Sequence, residues 1–150
     1  MRKKGNEKYL ELLKFTEIPN CEKYATKRIL QEVHLGSQTV ISLLDCNLNY
    51  LRINKYGRSK EFNLVKSRFE KSSKKLFERC DENLDKIMGF NKHDGCFFID
   101  NGVRLTFITD KGNYSISDSP VNIIKQKIAG QAIAHFLNLM NLTDRNRSKQ

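Results

Sequence analysis

Long apolar segments are missing from this sequence. No uninterrupted apolar run approaches the ~18 residues that a transmembrane helix needs. Residues 1–4 are basic, as at the start of a signal peptide, but polar residues follow them in place of an apolar stretch. We therefore expect a cytoplasmic protein with no membrane insertion.

The cysteines are few and widely spaced. They form no Cys-x-x-Cys pair, and no histidine lies at metal-ligand spacing from them. Their mostly hydrophobic or strand-like surroundings favour small, buried thiols in a reducing compartment over a disulfide framework. The sequence thus predicts no structural metal and no cofactor. The four positions are Cys21, Cys46, Cys80 and Cys96.

A catalytic constellation is also missing. His34, His93 and His135 have no serine, cysteine or carboxylate at a spacing that indicates a triad or a general base. His135 lies in an apolar segment, which favours a core or interface position. No Gly-rich phosphate loop and no zinc-deaminase signature occurs. We therefore predict a binding protein and not an enzyme.

Three aspartates keep one catalytic alternative open. Asp94, Asp100 and Asp110 each stand beside glycine, asparagine or another turn residue, where aspartate is favoured for its own hydrogen bonding. Turn formation explains each of them. Convergence at one end of a sheet as metal ligands, as in nucleases, is the alternative.

Acidic residues are fewer than basic ones: the 150 residues include 17 aspartates and glutamates and 27 lysines and arginines, which gives a net charge of +10. Residues 1–6 and 143–150 carry half of this excess, and we predict flexible basic tails there. The length suits one domain, placed at 7–142. A basic balance favours polyanionic partners. Abundant lysine and asparagine, typical of an A+T-rich genome, could equally account for the overall charge.

Periodicity predicts an α+β domain in the order α-α-β-β-α-β-β-β-α, with an antiparallel sheet of about five strands in two hairpin regions. Two turns divide the hairpins, one at 45–47 and one at Asn101 and Gly102, the latter being a strong hairpin dipeptide. Ser119 before Pro120 predicts the start of the last helix. The predicted helices are 7–15, 22–34, 60–88 and 120–142; the predicted strands are 38–44, 47–54, 96–99, 103–109 and 113–117.

The most distinctive feature is a cationic region at 52–79, with ten basic and three acidic residues. In the predicted helix 60–88 its charges lie opposite the apolar stripe. These basic residues also precede Asp81, Glu82 and Asp85 along the helix. The helix dipole favours the opposite order, with acidic residues near the start and basic residues near the end. This arrangement indicates contact with a phosphate backbone, of DNA or RNA. The predicted binding residues are Arg52, Lys55, Arg58, Lys60, Arg68, Lys71, Lys74, Lys75 and Arg79.

The same charges are compatible with two alternatives. One is a solvated helix face crossed by pairs such as Glu70 with Lys74 at i,i+4. The second is an acidic protein partner that binds the cationic region.

The last helix carries the second hypothesis, because 128–142 holds no charged residue and is apolar on more than one face. Such a helix either crosses the sheet as part of the core or contacts another chain. The interface alternative predicts an adaptor, secretion chaperone, immunity protein or inhibitor, or a homodimer. Its predicted contact residues are Ile128, Ala132, Ile133, Phe136, Leu137 and Met140.

Overall fold

In the part of the chain that the structure describes, seven antiparallel strands form a single sheet, in the order β4-β3-β2-β1-β6-β7-β5. The computed structural model describes residues 20–35, 38–54, 59–63, 69–92 and 101–148. The strands are β1 (Thr26–Leu35), β2 (Gln38–Asp45), β3 (Asn49–Asn54), β4 (Ser59–Asn63), β5 (Asn91–Lys92), β6 (Gly102–Thr109) and β7 (Gly112–Asp118). The helices are α1 (Glu70–Glu82), α2 (Leu84–Met88), α3 (Pro120–Ile123) and α4 (Lys127–Ser148). The predicted α+β class with an antiparallel sheet is confirmed.

The main core lies between one face of the sheet and the helices. Ile29 of β1 and Phe107 of β6 are fully buried there, together with Phe77 of α1 and Phe136 of α4. Each such side chain contributes roughly 1.5–3 kcal/mol by leaving water. A smaller apolar cluster lies on the other face of the sheet and consists of Leu30, Ile41, Leu43 and Leu51.

The predicted helix at 22–34 is wrong, because this segment contains β1, the strand at the centre of the sheet. β1 pairs with β2 on one side and with β6 on the other. Its neighbouring residues Ile29 and Leu30 are both fully buried, one in each apolar cluster. A strand buried on both faces shows no alternation of apolar and polar residues. Its apolar spacing therefore resembled that of a helix.

The predicted continuous helix at 60–88 is also wrong. Its first residues form the strand β4, in which Phe62 lies directly opposite Tyr50 of β3. The helix itself begins at Glu70, and a break at Asn83 separates α1 from α2. The predicted end at Gly89 agrees with the cap of α2. Consequently the basic residues of 52–79 do not share one helix face.

The predicted hairpin of β2 and β3 is confirmed, including its turn. One carboxylate oxygen of Asp45 accepts hydrogen bonds from the backbone N–H of Asn47 at 2.9 Å and of Asn49 at 3.0 Å. Leu48 has φ of 66° in this turn. Aspartate at the start of a turn commonly satisfies the turn's own backbone in this way.

The predicted strands 103–109 and 113–117 are confirmed as β6 and β7. The expected hairpin partner of β6 is wrong, since β1 and β7 occupy both of its edges. The partner segment 96–99 lies outside the described residues, as does the helix predicted at 7–15.

The last helix is interrupted. Pro120 begins the short α3 as predicted, and a break at 124–126 precedes α4. α4 continues to Ser148, past the predicted end at 142. Gly130 passes so close to the break that an added Cβ would lie 2.8 Å from the carbonyl oxygen of Ile124.

Candidate functional site

Helix α1 has a buried face and two flanks with different surroundings. It packs against β1 of the sheet and, laterally, against α4. Its thirteen residues hold four basic and four acidic side chains, so the helix has no net charge. What distinguishes its flanks is therefore the position of each charge. The buried residues of α1 are Ser73, Leu76, Phe77 and Cys80.

The flank towards α4 borders an open pocket of about 260 Å³. Lys75 and Arg79, one turn apart and both exposed, line it with Ser72. Helix α4 contributes Gln131 and Asn138 to the lining, and these two residues lie two turns apart on the same side of that helix. Ala134, His135 and Leu76 complete the lining that the described residues provide, and none of these residues is a carboxylate. The pocket thus has two cations and two carboxamides that can donate hydrogen bonds, while the hydroxyl of Ser72 donates to the carbonyl oxygen of Phe69 at 3.1 Å.

The opposite flank of α1 uses its charges within the fold. Glu70 accepts a hydrogen bond from Lys74 at 2.9 Å. Asp81 accepts two hydrogen bonds, from the backbone N–H of Ala25 and of Thr26, each at 2.9 Å. These bonds hold the start of β1 against the helix. The acidic end of α1, which runs against the helix dipole, therefore has a structural role through Asp81.

His135 lies beneath the pocket in a buried contact with α1. Its Nε2 is 2.7 Å from the hydroxyl oxygen of Ser73, and the ring of Phe69 meets the imidazole edge-on. Burial lowers the pKa of His135 to about 4. Because Ser73 is fully buried, a substrate in the pocket would not reach its hydroxyl. This pair ties the two helices together.

The structure separates the predicted binding residues. Lys71, Lys75 and Arg79 lie exposed along α1 at successive turns, and Lys74 turns towards Glu70 on the other flank. Arg52 lies in β3, on the face of the sheet that the helices cover, directly opposite the backbone of Lys60 in β4. Lys55, Arg58 and Arg68 lie outside the described residues.

Half of the six predicted partner-interface residues are buried within the chain. Ile128, Ala132 and Phe136 belong to the main core, at no more than 3 % exposure. Ile133 and Met140 are half-buried, while Leu137 is 51 % exposed. Of the predicted interface, Leu137 alone is widely accessible.

Metal ligands do not cluster in the part of the chain that the structure describes: no group of three histidine, cysteine, aspartate or glutamate side chains there could hold an ion. Asp110 is exposed in the β6–β7 turn. Asp94, Asp100 and His93 lie outside the described residues. His34 contacts the hydroxyl of Thr39 on the paired strand, at 2.6 Å.

Two pocket residues, Gln131 and Asn138, were not predicted from the sequence. Their spacing of two helical turns within an otherwise apolar helix was the available indication. It carried no information on which other element would lie beside them.

Comparisons of the chain with protein-family models, with curated proteins and with solved structures each find no match. Among the helices of the described residues, none combines the length and the apolar character required to cross a membrane.

Proposed function

We propose that the protein binds nucleic acid through its phosphate backbone, using the pocket between α1 and α4. The observation that carries this proposal is the pairing of Lys75 and Arg79 with uncharged polar side chains, in a pocket whose described lining contains no carboxylate. Glu70 and Asp81 of α1 accept hydrogen bonds on the other flank. An anionic ligand in the pocket meets cations and hydrogen-bond donors together.

The donor chemistry suits a phosphodiester. The guanidinium of Arg79 can present two parallel N–H groups to two phosphate oxygens, while Lys75 supplies a compact charge. The amides of Gln131 and Asn138 can bind further oxygens. Such contacts position a strand without reading its bases. Aromatic side chains for base stacking are not among the pocket's described lining.

Further basic residues extend this side of the molecule. Lys71 continues the exposed row of α1 one turn before Lys75. Arg52 lies on the helix-covered face of the sheet, two residues along β3 from Tyr50, whose ring is 6.4 Å from that of Phe136 in α4. A nucleic-acid strand that crosses the pocket could therefore meet Lys71 of α1 as an additional cation.

A salt titration tests the proposal. Binding of a random-sequence DNA duplex, its single strand and an RNA of the same sequence is followed by fluorescence anisotropy. We expect log K to fall linearly with log salt, and the double variant Lys75→Gln/Arg79→Gln to flatten the duplex slope by roughly 2, about 0.9 for each phosphate contact.

The matched control is Lys111→Gln/Lys125→Gln, which removes the same charge from two exposed lysines outside the pocket. It should leave the slope close to that of the wild type. A flat salt dependence of the wild type, or an equal effect of both double variants, would contradict the proposal.

A second candidate function is protein binding. Val121 and Ile124 are 68 % and 52 % exposed, three residues apart at α3, and Leu137 is exposed on α4. Exposed apolar side chains that lie close together favour a protein partner or a second copy. Sedimentation of the wild type and of Val121→Ser/Ile124→Ser tests the homodimer: we expect association that the variant weakens. A wild type that stays monomeric at high concentration would exclude it.

A further inference from the structure

Two thiols from distant parts of the sequence meet beside the start of β1. Cys21 lies in the irregular segment before β1, and Cys46 begins the β2–β3 turn. The thiol of Cys21 donates to the backbone carbonyl oxygen of Cys46, with a sulfur–oxygen distance of 3.9 Å, and both residues line one pocket. The two cysteines are therefore already neighbours in the reduced protein.

The three described cysteines differ in access. Cys21 is half-buried and lines an open pocket of about 330 Å³, whose lining also includes Cys46. Cys80 is fully buried in the main core. A reagent of the size of a small peptide can therefore approach Cys21, whereas Cys80 is accessible only when the fold opens.

Charged groups of both signs surround the accessible thiol. Lys23 and Lys74 line the same pocket together with Glu22 and Glu70, and the ammonium group of Lys27 donates to the carbonyl oxygens of Cys21 and Tyr24. Burial raises the pKa of the Cys46 thiol and of the Cys80 thiol, which disfavours their thiolates. Of these three, Cys21 is the group placed to react first.

We propose that Cys21 is a thiol-modification site that reacts with low-molecular-weight disulfides, and that Cys46 resolves the product into an intramolecular Cys21–Cys46 disulfide. In the first step the Cys21 thiolate attacks one sulfur of the small disulfide, and one small thiolate leaves. In the second step the Cys46 thiol loses its proton as its sulfur attacks the Cys21 sulfur, and the second small thiolate leaves. The two cysteines are oxidised, the small disulfide is reduced to two thiols, and these take up the two protons.

The backbone around the pair permits this bond. Residues 20–25 belong to no helix or strand, so Cys21 can move towards the Cα separation of roughly 4.4–6.8 Å that a disulfide needs. Cys46 is fixed, since its N–H donates to the carbonyl oxygen of Lys27 at 3.0 Å and Asp45 organises its turn. The cross-link would tie the start of the central strand to the β2–β3 turn.

The test uses the folded chain, glutathione disulfide as the probe, and mass spectrometry. Cleavage at lysine and arginine places the four cysteines on four separate peptides, 15–23, 29–52, 80–86 and 93–104. After oxidation and alkylation of the remaining thiols, we expect peptides 15–23 and 29–52 to be joined, and peptide 80–86 to be alkylated. The oxidised protein should also unfold at a higher temperature, since the closed loop restricts the unfolded chain.

Two single variants separate the steps. Cys46→Ser should stop at a mixed disulfide of glutathione on peptide 15–23, while Cys21→Ser should leave peptide 29–52 alkylated and unoxidised. Joining of 29–52 to 80–86 would overturn the proposal, and so would a stable mixed disulfide on Cys21 of the wild type. Reaction that occurs only in urea would also overturn it, because the native contact would then play no part.

Discussion

The two flanks of α1 hold similar residue types and do different things. On the flank towards β1, Asp81 binds the backbone of the central strand and Glu70 pairs with Lys74. On the flank towards α4, Lys75 and Arg79 remain exposed beside a pocket. The helix is neutral as a whole, so its net charge says nothing about binding. The difference lies in which charges the neighbouring elements already engage.

The largest expected effect concerns His135, which holds the α4 flank together from below. Its pKa of about 4 lies under the ordinary value of 6.5, so the unfolded chain binds the proton more tightly. The neutral His135 side chain therefore contributes fully to the free energy of unfolding above pH 6.5, and this contribution falls as the pH drops towards 4. The free energy of unfolding should decrease by about 3 kcal/mol over this range.

The measurement is urea unfolding of the wild type and of His135→Gln from pH 7 to pH 4. Glutamine can keep a hydrogen bond to Ser73 but cannot titrate, so it serves as the matched control. We expect the wild type to lose stability more steeply than the variant. If the two proteins lost stability equally with falling pH, the folded and the unfolded chain would bind the proton of His135 equally well. The buried contact between the helices would then not depend on a neutral imidazole.

The second prediction weakens the flank towards β1. Asp81→Ala leaves the N–H groups of Ala25 and Thr26 without their acceptor, and should lower the free energy of unfolding by about 2 kcal/mol. Asp81→Asn, which keeps one acceptor oxygen, should cost less. Glu82→Ala alters the next residue, which is exposed, and should stay within about 0.5 kcal/mol of the wild type in urea unfolding. Equal losses for Asp81→Ala and Glu82→Ala would remove the structural role assigned to this flank.

Local patterns predicted the elements whose bonds are local. The β2–β3 hairpin was predicted correctly because its turn is organised by Asp45 within a few residues. The strands β6 and β7 are joined by the short turn at Asp110, and they too were predicted. In contrast, β1 was mistaken for a helix because both of its faces are buried, with Ile29 in one apolar cluster and Leu30 in the other, so its residues show no alternation. Long-range burial cannot be deduced from apolar spacing alone.

The candidate site, too, was predicted only where its features are local. The exposure of Lys71, Lys75 and Arg79 followed from the helical spacing of the apolar residues around them. The pocket could not be predicted in this way, because it requires α4 to lie beside α1. That arrangement depends on contacts such as the one between Ser73 and His135, which are 62 residues apart. The positive charge of 52–79 was also divided, since Lys60 belongs to β4 and not to the predicted helix, whose start was placed about ten residues too early.

The smallest expected effect is also the closest comparison, because it uses two adjacent lysines of one helix. Lys75→Gln removes a cation from the pocket, and Lys74→Gln removes one from the pair with Glu70 on the other flank. Both variants lose the same charge. If the pocket binds phosphate, Lys75→Gln should weaken DNA binding several-fold at low salt and flatten the salt slope by about 1, whereas Lys74→Gln should change neither. Fluorescence anisotropy at several salt concentrations measures both quantities. Equal weakening by the two variants would mean that the bound strand senses only the overall charge, and that the flank of α1 on which a lysine lies makes no difference to binding.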